Sequence, residues 1–234
     1  MEFPISAEEL SFIVGIIGNI VSFLYFLSPI NTFRRIVKER STSSFESFPY
    51  ICTLLNTSLW TYYGITSPDG LLVATINGAG CVIEAIYVLT FLIFAAKETR
   101  VRTAIRLSIA VGFFVVVFFI TSVFMQVELR IEVVGIISAI LNVLMYSSPL
   151  AIVRTVLMTK SIEFMPFSLS FFLFLNGGIW AFYAFLVQDL FLGIPNGLGF
   201  VLGVVQIVIY CYTVRLRALK EGQHEQLLPS VEDF

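Results

Sequence analysis

The sequence is poor in charge. Only 13% of its 234 residues are Asp, Glu, Lys or Arg, about half the share found in an ordinary soluble domain. Histidine occurs once, at His224 near the C-terminus, and cysteine three times, at Cys52, Cys81 and Cys211. There is no Ser-His-Asp set, no His/Cys cluster at metal-ligand spacing and no glycine-rich phosphate loop, so the chain offers neither catalytic machinery nor a cofactor or metal site. The three cysteines fall inside apolar runs and read as small packed hydrophobes rather than as a disulfide framework. Net charge is only −2, and with no basic patch beyond short loops, nucleic acid is excluded as a partner.

What is abundant is apolar residues, at 58% of the chain, with a mean hydropathy of +0.93. Crossing about 30 Å of hydrocarbon takes about 20 residues of helix. Seven stretches are long enough: 10–33, 47–68, 70–96 (broken by Glu84), 107–127, 133–153, 164–188 and 190–214. A barrel needs short strands of alternating polarity, and these runs are continuously apolar. The first run follows the acidic Glu2, Glu8 and Glu9 rather than a basic segment, so it reads as a first helix and not as a cleaved signal. The expectation is an all-α integral membrane protein with seven transmembrane helices, and the lipid bilayer as its solvent.

Orientation follows from Lys and Arg. Arg34, Arg35, Lys38 and Arg40 lie between helices one and two, and Lys97, Arg100, Arg102 and Arg106 between three and four. Arg154 and Lys160 lie between five and six, and Arg215, Arg217 and Lys220 follow helix seven. All of these share one face, which places the N-terminus on the non-cytosolic side and the tail in the cytosol; only Arg130 falls opposite.

The chain also repeats itself at an offset of about 120 residues. Gly15-Ile16-Ile17 recurs as Gly135-Ile136-Ile137, Ser28-Pro29 as Ser148-Pro149, Asn56 as Asn176, Trp60 as Trp180 and Tyr63 as Tyr183; one register earlier, Asn77-Gly78 matches Asn196-Gly197. Helix four has no partner. An odd connecting helix lets both halves run in the same direction, so the expected fold is two parallel three-helix bundles, a 3+1+3 arrangement. The first repeat covers 1–96, the inverting linker helix 97–127, the second repeat 128–214, and a disordered cytosolic tail 215–234. A binding site then belongs on the pseudo-two-fold axis near mid-membrane.

Polar side chains in hydrocarbon need partners, and Asn brings two donors and two acceptor sites. Asn77 and Asn196, equivalent by repeat, are the strongest site candidates. Trp60 and Trp180, the only tryptophans, lie well inside their helices, where an indole face suits the C–H face of a sugar ring. Asn56 with Asn176 and Ser22 with Asn142 extend the uncharged polar set. Such a lining fits a polyhydroxyl solute better than an ion. Glu84 has no repeat partner and reads as a structural acceptor, with coupling to protons as the alternative. Pro29, Pro49, Pro149 and Pro166 near the cytosolic ends suggest hinges of a gate, with Tyr63, Tyr183 and Asp189 closing the opposite side.

These residues resemble the SWEET sugar transporters. The resemblance is carried by GNIVSFLYFLSP, STSSFESFPYICTLLNTSLWTYYG, ATINGAGCVIEAIYV, SIEFMPFSLSFFLFLNGGIWAFYAF and IPNGLGFVLGVVQ. It implies energy-independent, bidirectional uniport of mono- or disaccharides by alternating access, with Asn77, Asn196, Trp60 and Trp180 around the sugar. It also implies that Ser22, Tyr25, Asn56, Asn142, Met145 and Asn176 line the pocket, that the prolines flex, and that the protein forms homo- or hetero-oligomers. Asn and Met stand where sucrose-selective members carry smaller residues, which favours a hexose, glucose or fructose. The LNVLMYSSPL and FLFLNG segments are similar to the plant subgroup of the vacuolar membrane; the plasma membrane is the alternative. A seven-helix receptor, a cationic amino-acid carrier and a sucrose carrier are the rivals.

Overall fold

The computed structural model describes residues 6–43, 45–159, 165 and 167–227, all helical or connecting, with no strand among the described residues. Pro166 lies outside them. The helices are α1 (Ala7–Leu27), α2 (Ile30–Glu39), α3 (Phe48–Thr66), α4 (Leu71–Phe94), α5 (Lys97–Phe124), α6 (Val127–Met145), α7 (Ser147–Thr159), α8 (Phe167–Leu186) and α9 (Leu190–Leu227).

Helix α1 opens with a capping box: the Glu9 amide donates to Ser6 Oγ at 3.1 Å, and the Ser6 amide donates back to the Glu9 carboxylate at 2.9 Å. Two of the orphan N–H groups of a helix start are satisfied this way. The expected first helix is in fact two segments. A proline lacks an N–H and its ring clashes with the carbonyl four residues back; accordingly α1 stops at Leu27, two residues before Pro29, and α2 resumes after it. The same happens 120 residues later, where α6 ends at Met145, four residues before Pro149, and α7 begins at Ser147. The expected helix 133–153 is therefore longer and broken, running over Val127–Thr159.

The other two prolines of interest behave differently from the expectation. Pro49 occupies the first turn of α3, where the missing N–H would have had no intrahelical partner anyway, so it makes no kink. Pro195, not singled out in the sequence, is the proline inside a helix. The tail also departs from its expected disorder: α9 continues to Leu227, well past residue 215.

Among the described residues six helical spans are long and apolar enough to cross a membrane: Ala7–Glu39, Leu71–Phe94, Lys97–Phe124, Val127–Thr159, Phe167–Leu186 and Leu190–Leu216. Helix α3, with 19 residues, has the length to cross, about 28 Å at 1.5 Å per residue, but is the polar one. Its hydroxyls fold back onto its own carbonyls: Thr53 to Pro49, Thr57 to Thr53, Ser58 to Leu54 and Thr61 to Thr57, at 2.7–3.0 Å. It is also enclosed by α4, α5 and α6, so lipid does not meet its polar groups.

Packing brings α4 between α1 and α3, and α9 between α6 and α8. The two groups meet where α1 lies on α8 and α3 on α6. Helix α5 leans on the first group through α3: Tyr62 Oη hydrogen-bonds Thr121 at 2.9 Å and Ser122 at 2.8 Å, and Ser47 bonds Thr103 at 2.8 Å. Its other faces carry exposed Ile109, Phe113, Val116 and Ile120, as a lipid-facing helix does.

Without a hydrophobic drive between helices in lipid, close contact depends on small residues. At Gly177 a Cβ would lie 2.7 Å from the Phe200 amide nitrogen and 3.0 Å from the Asn196 carbonyl oxygen. Backbone cannot step aside as a flexible side chain can, so Gly177→Ala should cost about 1–3 kcal/mol through separation of α8 from α9. At Gly112 nothing lies within 4 Å, and Gly112→Ala should leave stability unchanged or raised. Thermal unfolding of both variants in one detergent checks the pair.

Candidate functional site

In the second turn of α4 and of α9 sit Asn77 and Asn196, each partly buried. Each folds its amide back onto its own helix: Asn77 Nδ2 donates to the Val73 carbonyl at 2.9 Å and Asn196 Nδ2 to the Leu192 carbonyl at 2.8 Å. One bond out of the capacity of an Asn amide is thus used. Among the described residues the Oδ1 acceptor and the second N–H of both side chains have no partner, and no bond joins Asn77 to Asn196.

Around them the two helix groups are tied by matching pairs. Asn56 Nδ2 on α3 donates to Asn142 Oδ1 on α6 at 2.8 Å and reaches the Met145 sulfur at 3.3 Å. Its repeat equivalent is the bond from Ser22 Oγ on α1 to Asn176 Oδ1 on α8, at 2.5 Å. Only the second pair is extended by an indole: Trp180 Nε1 donates to Ser22 Oγ at 2.9 Å, whereas Trp60 Nε1 has no hydrogen bond among the described residues. The larger Asn142 stands where Ser22 stands in the first half, and its amide is occupied by Asn56. Both indoles are buried, at 4% and 5% exposure, and each is crossed edge-on by a tyrosine of its own helix, Trp60 by Tyr63 and Trp180 by Tyr183, with centroids 5.3 Å apart in both.

Toward the end opposite the basic loops, two tyrosines link the halves. Tyr63 Oη donates to Asp189 Oδ2 at 2.8 Å, while Asp189 Oδ1 accepts the Leu192 amide at 3.0 Å at the start of α9. Tyr183 Oη donates to the Asp69 backbone carbonyl at 3.0 Å. Each tyrosine therefore reaches the loop of the other half. Asp69 was not singled out in the sequence, although it stands 120 residues before Asp189, so the repeat offset contained the signal. Gly15 and Gly135 make room for the crossing: a Cβ on Gly15 would lie 2.9 Å from the Tyr183 ring, and one on Gly135 2.9 Å from the Tyr63 ring.

Not every expected residue joins this assembly. Tyr25 is 38% exposed, makes no hydrogen bond among the described residues and has a tilted ring contact with Phe26, centroids 6.2 Å apart. Pro29 and Pro149 lie at the helix breaks, toward the basic loops, where among the described residues no hydrogen bond links the two groups. Tyr146, unremarked in the sequence, beside the second break, donates to the Pro195 carbonyl at 2.9 Å within its own half.

The site is uncharged. Amides, hydroxyls, a thioether and two indoles offer donors, acceptors and flat apolar faces, and among the described residues no group of three His, Cys, Asp or Glu is placed to hold a metal ion. The two cross-half pairs occupy equivalent positions, so they should be energetically alike. Double-mutant cycles of Ser22→Ala with Asn176→Ala, and of Asn142→Ala with Asn56→Ala, are expected to give coupling energies of about 0.6 kcal/mol each, read from thermal stability; a coupling confined to one pair would break the equivalence.

The sequence matches the family profile described as "Sugar efflux transporter for intercellular exchange" twice, over residues 12–99 and 132–217. The chain is 50% identical over 224 residues to the bidirectional sugar transporter SWEET16 of Arabidopsis thaliana, covering 95% of this chain and 97% of that one. It is 50% identical over 204 residues to SWEET17 of the same plant, covering 86% and 85%. The solved 3.7 Å structure of a eukaryotic SWEET transporter superposes with a TM-score of 0.84 at 38% identity, over 88% of this chain and 97% of that one. Two copies of one family domain, relatives alike along nearly the whole length and a shared helical architecture all agree with the duplicated, uncharged site: the chain belongs to the MtN3/SWEET family of sugar transporters and is not an enzyme.

Proposed function

We propose that the protein passes monosaccharides, glucose or fructose, across a membrane in both directions and down their gradient, one solute at a time. The observation that carries the reading is the pair Asn77 and Asn196, which hold matching poses on their helices and keep an acceptor and a donor free. A sugar hydroxyl leaving water needs both, and an isolated amide in hydrocarbon without a ligand would be costly. Trp60 and Trp180 supply apolar faces for the ring, and Trp60 also has an unused indole N–H.

Alternating access follows from where the cross-half bonds lie. Among the described residues, every hydrogen bond between the two helix groups belongs to the Asn56/Asn142 and Ser22/Asn176 pairs, to the Asn56–Met145 contact, to Trp180, or to Tyr63 and Tyr183. Among the described residues no hydrogen bond ties the ends toward the basic loops, and the breaks at Pro29 and Pro149 give each half a joint on that side. On this reading the molecule is closed on the Asp69/Asp189 side and open on the basic, cytosolic side, and Pro49 and Pro166 contribute to the same gate. The halves 1–96 and 128–214 move as parallel bundles about a pseudo-two-fold axis, with 97–127 as the inverting connector.

Substrate size follows from side-chain volume. Asn56, Asn142, Met145 and Asn176 together narrow the polar layer, and Ser22 is its one small member, so a hexose fits better than sucrose. Resemblance to the plant vacuolar subgroup favours the vacuolar membrane, with the N-terminus in the lumen. The exposed apolar faces leave room for homo-oligomers or hetero-oligomers with relatives.

Purified protein in liposomes is expected to equilibrate radiolabelled glucose or fructose without any imposed proton gradient, and sucrose more slowly. Uptake seen only with a proton gradient would contradict uniport. Asn77→Ala and Asn196→Ala are expected to abolish transport with expression intact; wild-type rates in both would reduce these residues to packing.

A further inference from the structure

One titratable side chain in the membrane interior has no part in the transport site. Glu84 is 3% exposed on α4, its Oε2 is buried without a hydrogen-bond partner, and no described group hydrogen-bonds either of its oxygens. That contradicts its reading as a structural acceptor. The ionisable groups in its electrostatic reach are phenols: Tyr25 from α1, Tyr50 from α3 and Tyr87 one turn along α4. Helices α2 and α5 also pack on α4, and among the described residues no Lys or Arg forms a salt bridge with Glu84. Tyr87 Oη is turned away, donating to the Phe26 carbonyl at 3.0 Å.

A bare carboxylate in such a place is far more expensive than a neutral acid, because nothing offsets the lost hydration. The group escapes that cost by keeping its proton. We propose that Glu84 is an intramembrane proton-binding site, occupied in this conformation, and that emptying it slows sugar passage. The second half of this proposal rests on the sugar-transport reading; the first does not.

The link to transport is positional. Glu84 is seven residues from Asn77, two turns or about 10.5 Å along the same face of α4. Ionised Glu84 would have to recruit water or a cation into the first helix group, and the helix that moves to admit it carries Asn77. The second half has no counterpart. Gly203 stands at the equivalent position, where a Cβ would lie 2.5 Å from the Phe174 amide nitrogen, so an acid does not fit there. One proton site therefore serves a duplicated molecule.

Infrared spectroscopy of the full chain in liposomes reads the proton directly. At neutral pH the surface carboxyls are ionised, and a single C=O stretch of a protonated carboxyl is expected, shifted in D2O, titrating away in alkaline buffer and absent in Glu84→Gln. Hexose equilibration by the wild type should slow several-fold in step with loss of the band, while Glu84→Gln keeps a flat, unslowed rate. No protonated band in the wild type at neutral pH, a band that survives Glu84→Gln, or the same alkaline slowing in Glu84→Gln would each overturn the proposal. If Glu84→Gln does not fold, Glu84→Asp must shift the band and the pH of half-maximal slowing together, and a shift in one alone overturns it. A protein that shows the band but moves no sugar under any condition would refute the transport reading and leave the proton site standing.

Discussion

Hydrocarbon offers no hydrogen bonds, and the architecture of this protein is largely an answer to that. Every polar group placed between the two faces of the membrane must find its partner in protein. The hydroxyls of α3 solve it by bonding to their own helix, and the helix as a whole solves it by hiding among α4, α5 and α6. Asn56, Asn142, Ser22 and Asn176 solve it across the seam between the two helix groups. Each such bond contributes little, about 0.6 kcal/mol in membranes, which is what allows a seam to open as well as close. Asn77 and Asn196 are places where the rule is only half obeyed, and the Glu84 carboxyl and the Ser170 hydroxyl are places where a buried oxygen has no partner among the described residues.

The seam has two levels with different chemistry. The Tyr63–Asp189 and Tyr183–Asp69 bonds lie outside the tryptophans and join the halves at one end; the amide and hydroxyl pairs lie on the inner side. Symmetry is obeyed closely at the outer level, where each tyrosine crosses a glycine of the other half. It relaxes at the inner level, where Ser22 and Asn142 differ in size and only Trp180 spends its indole N–H within the protein. A sugar has no two-fold axis, so a duplicated cavity that recognises one gains from such a difference.

Most of this was legible in the sequence because two independent periodicities carry it. Charge spacing marks the spans, and the offset of 120 residues marks the equivalences; Asn77 with Asn196 and Trp60 with Trp180 followed directly, and the structure places each pair on equivalent helices. The breaks after Leu27 and Met145 were less visible, since apolar composition does not change across them and only the prolines tell. Pro49 stands in a first turn rather than at a helix break, and the two look the same in a string of letters, although only a proline in a helix interior costs a backbone hydrogen bond. Asp69 bonds through its backbone carbonyl, so its side chain gave no reason to single it out, and only its spacing of 120 residues from Asp189 pointed to it. The continuation of α9 to Leu227 was hidden by the return of charged residues, which end a membrane span but not a helix.

The central claim is that sugar sits between the two halves, against the two indoles and the two free amides. Because Trp60 and Trp180 are the only tryptophans in the chain, intrinsic fluorescence reports from that place alone. Titrating glucose or fructose onto the protein in detergent should give a saturable emission change that is lost in Asn77→Ala. No saturable change with any hexose, or an unaltered response in Asn77→Ala, would contradict the account.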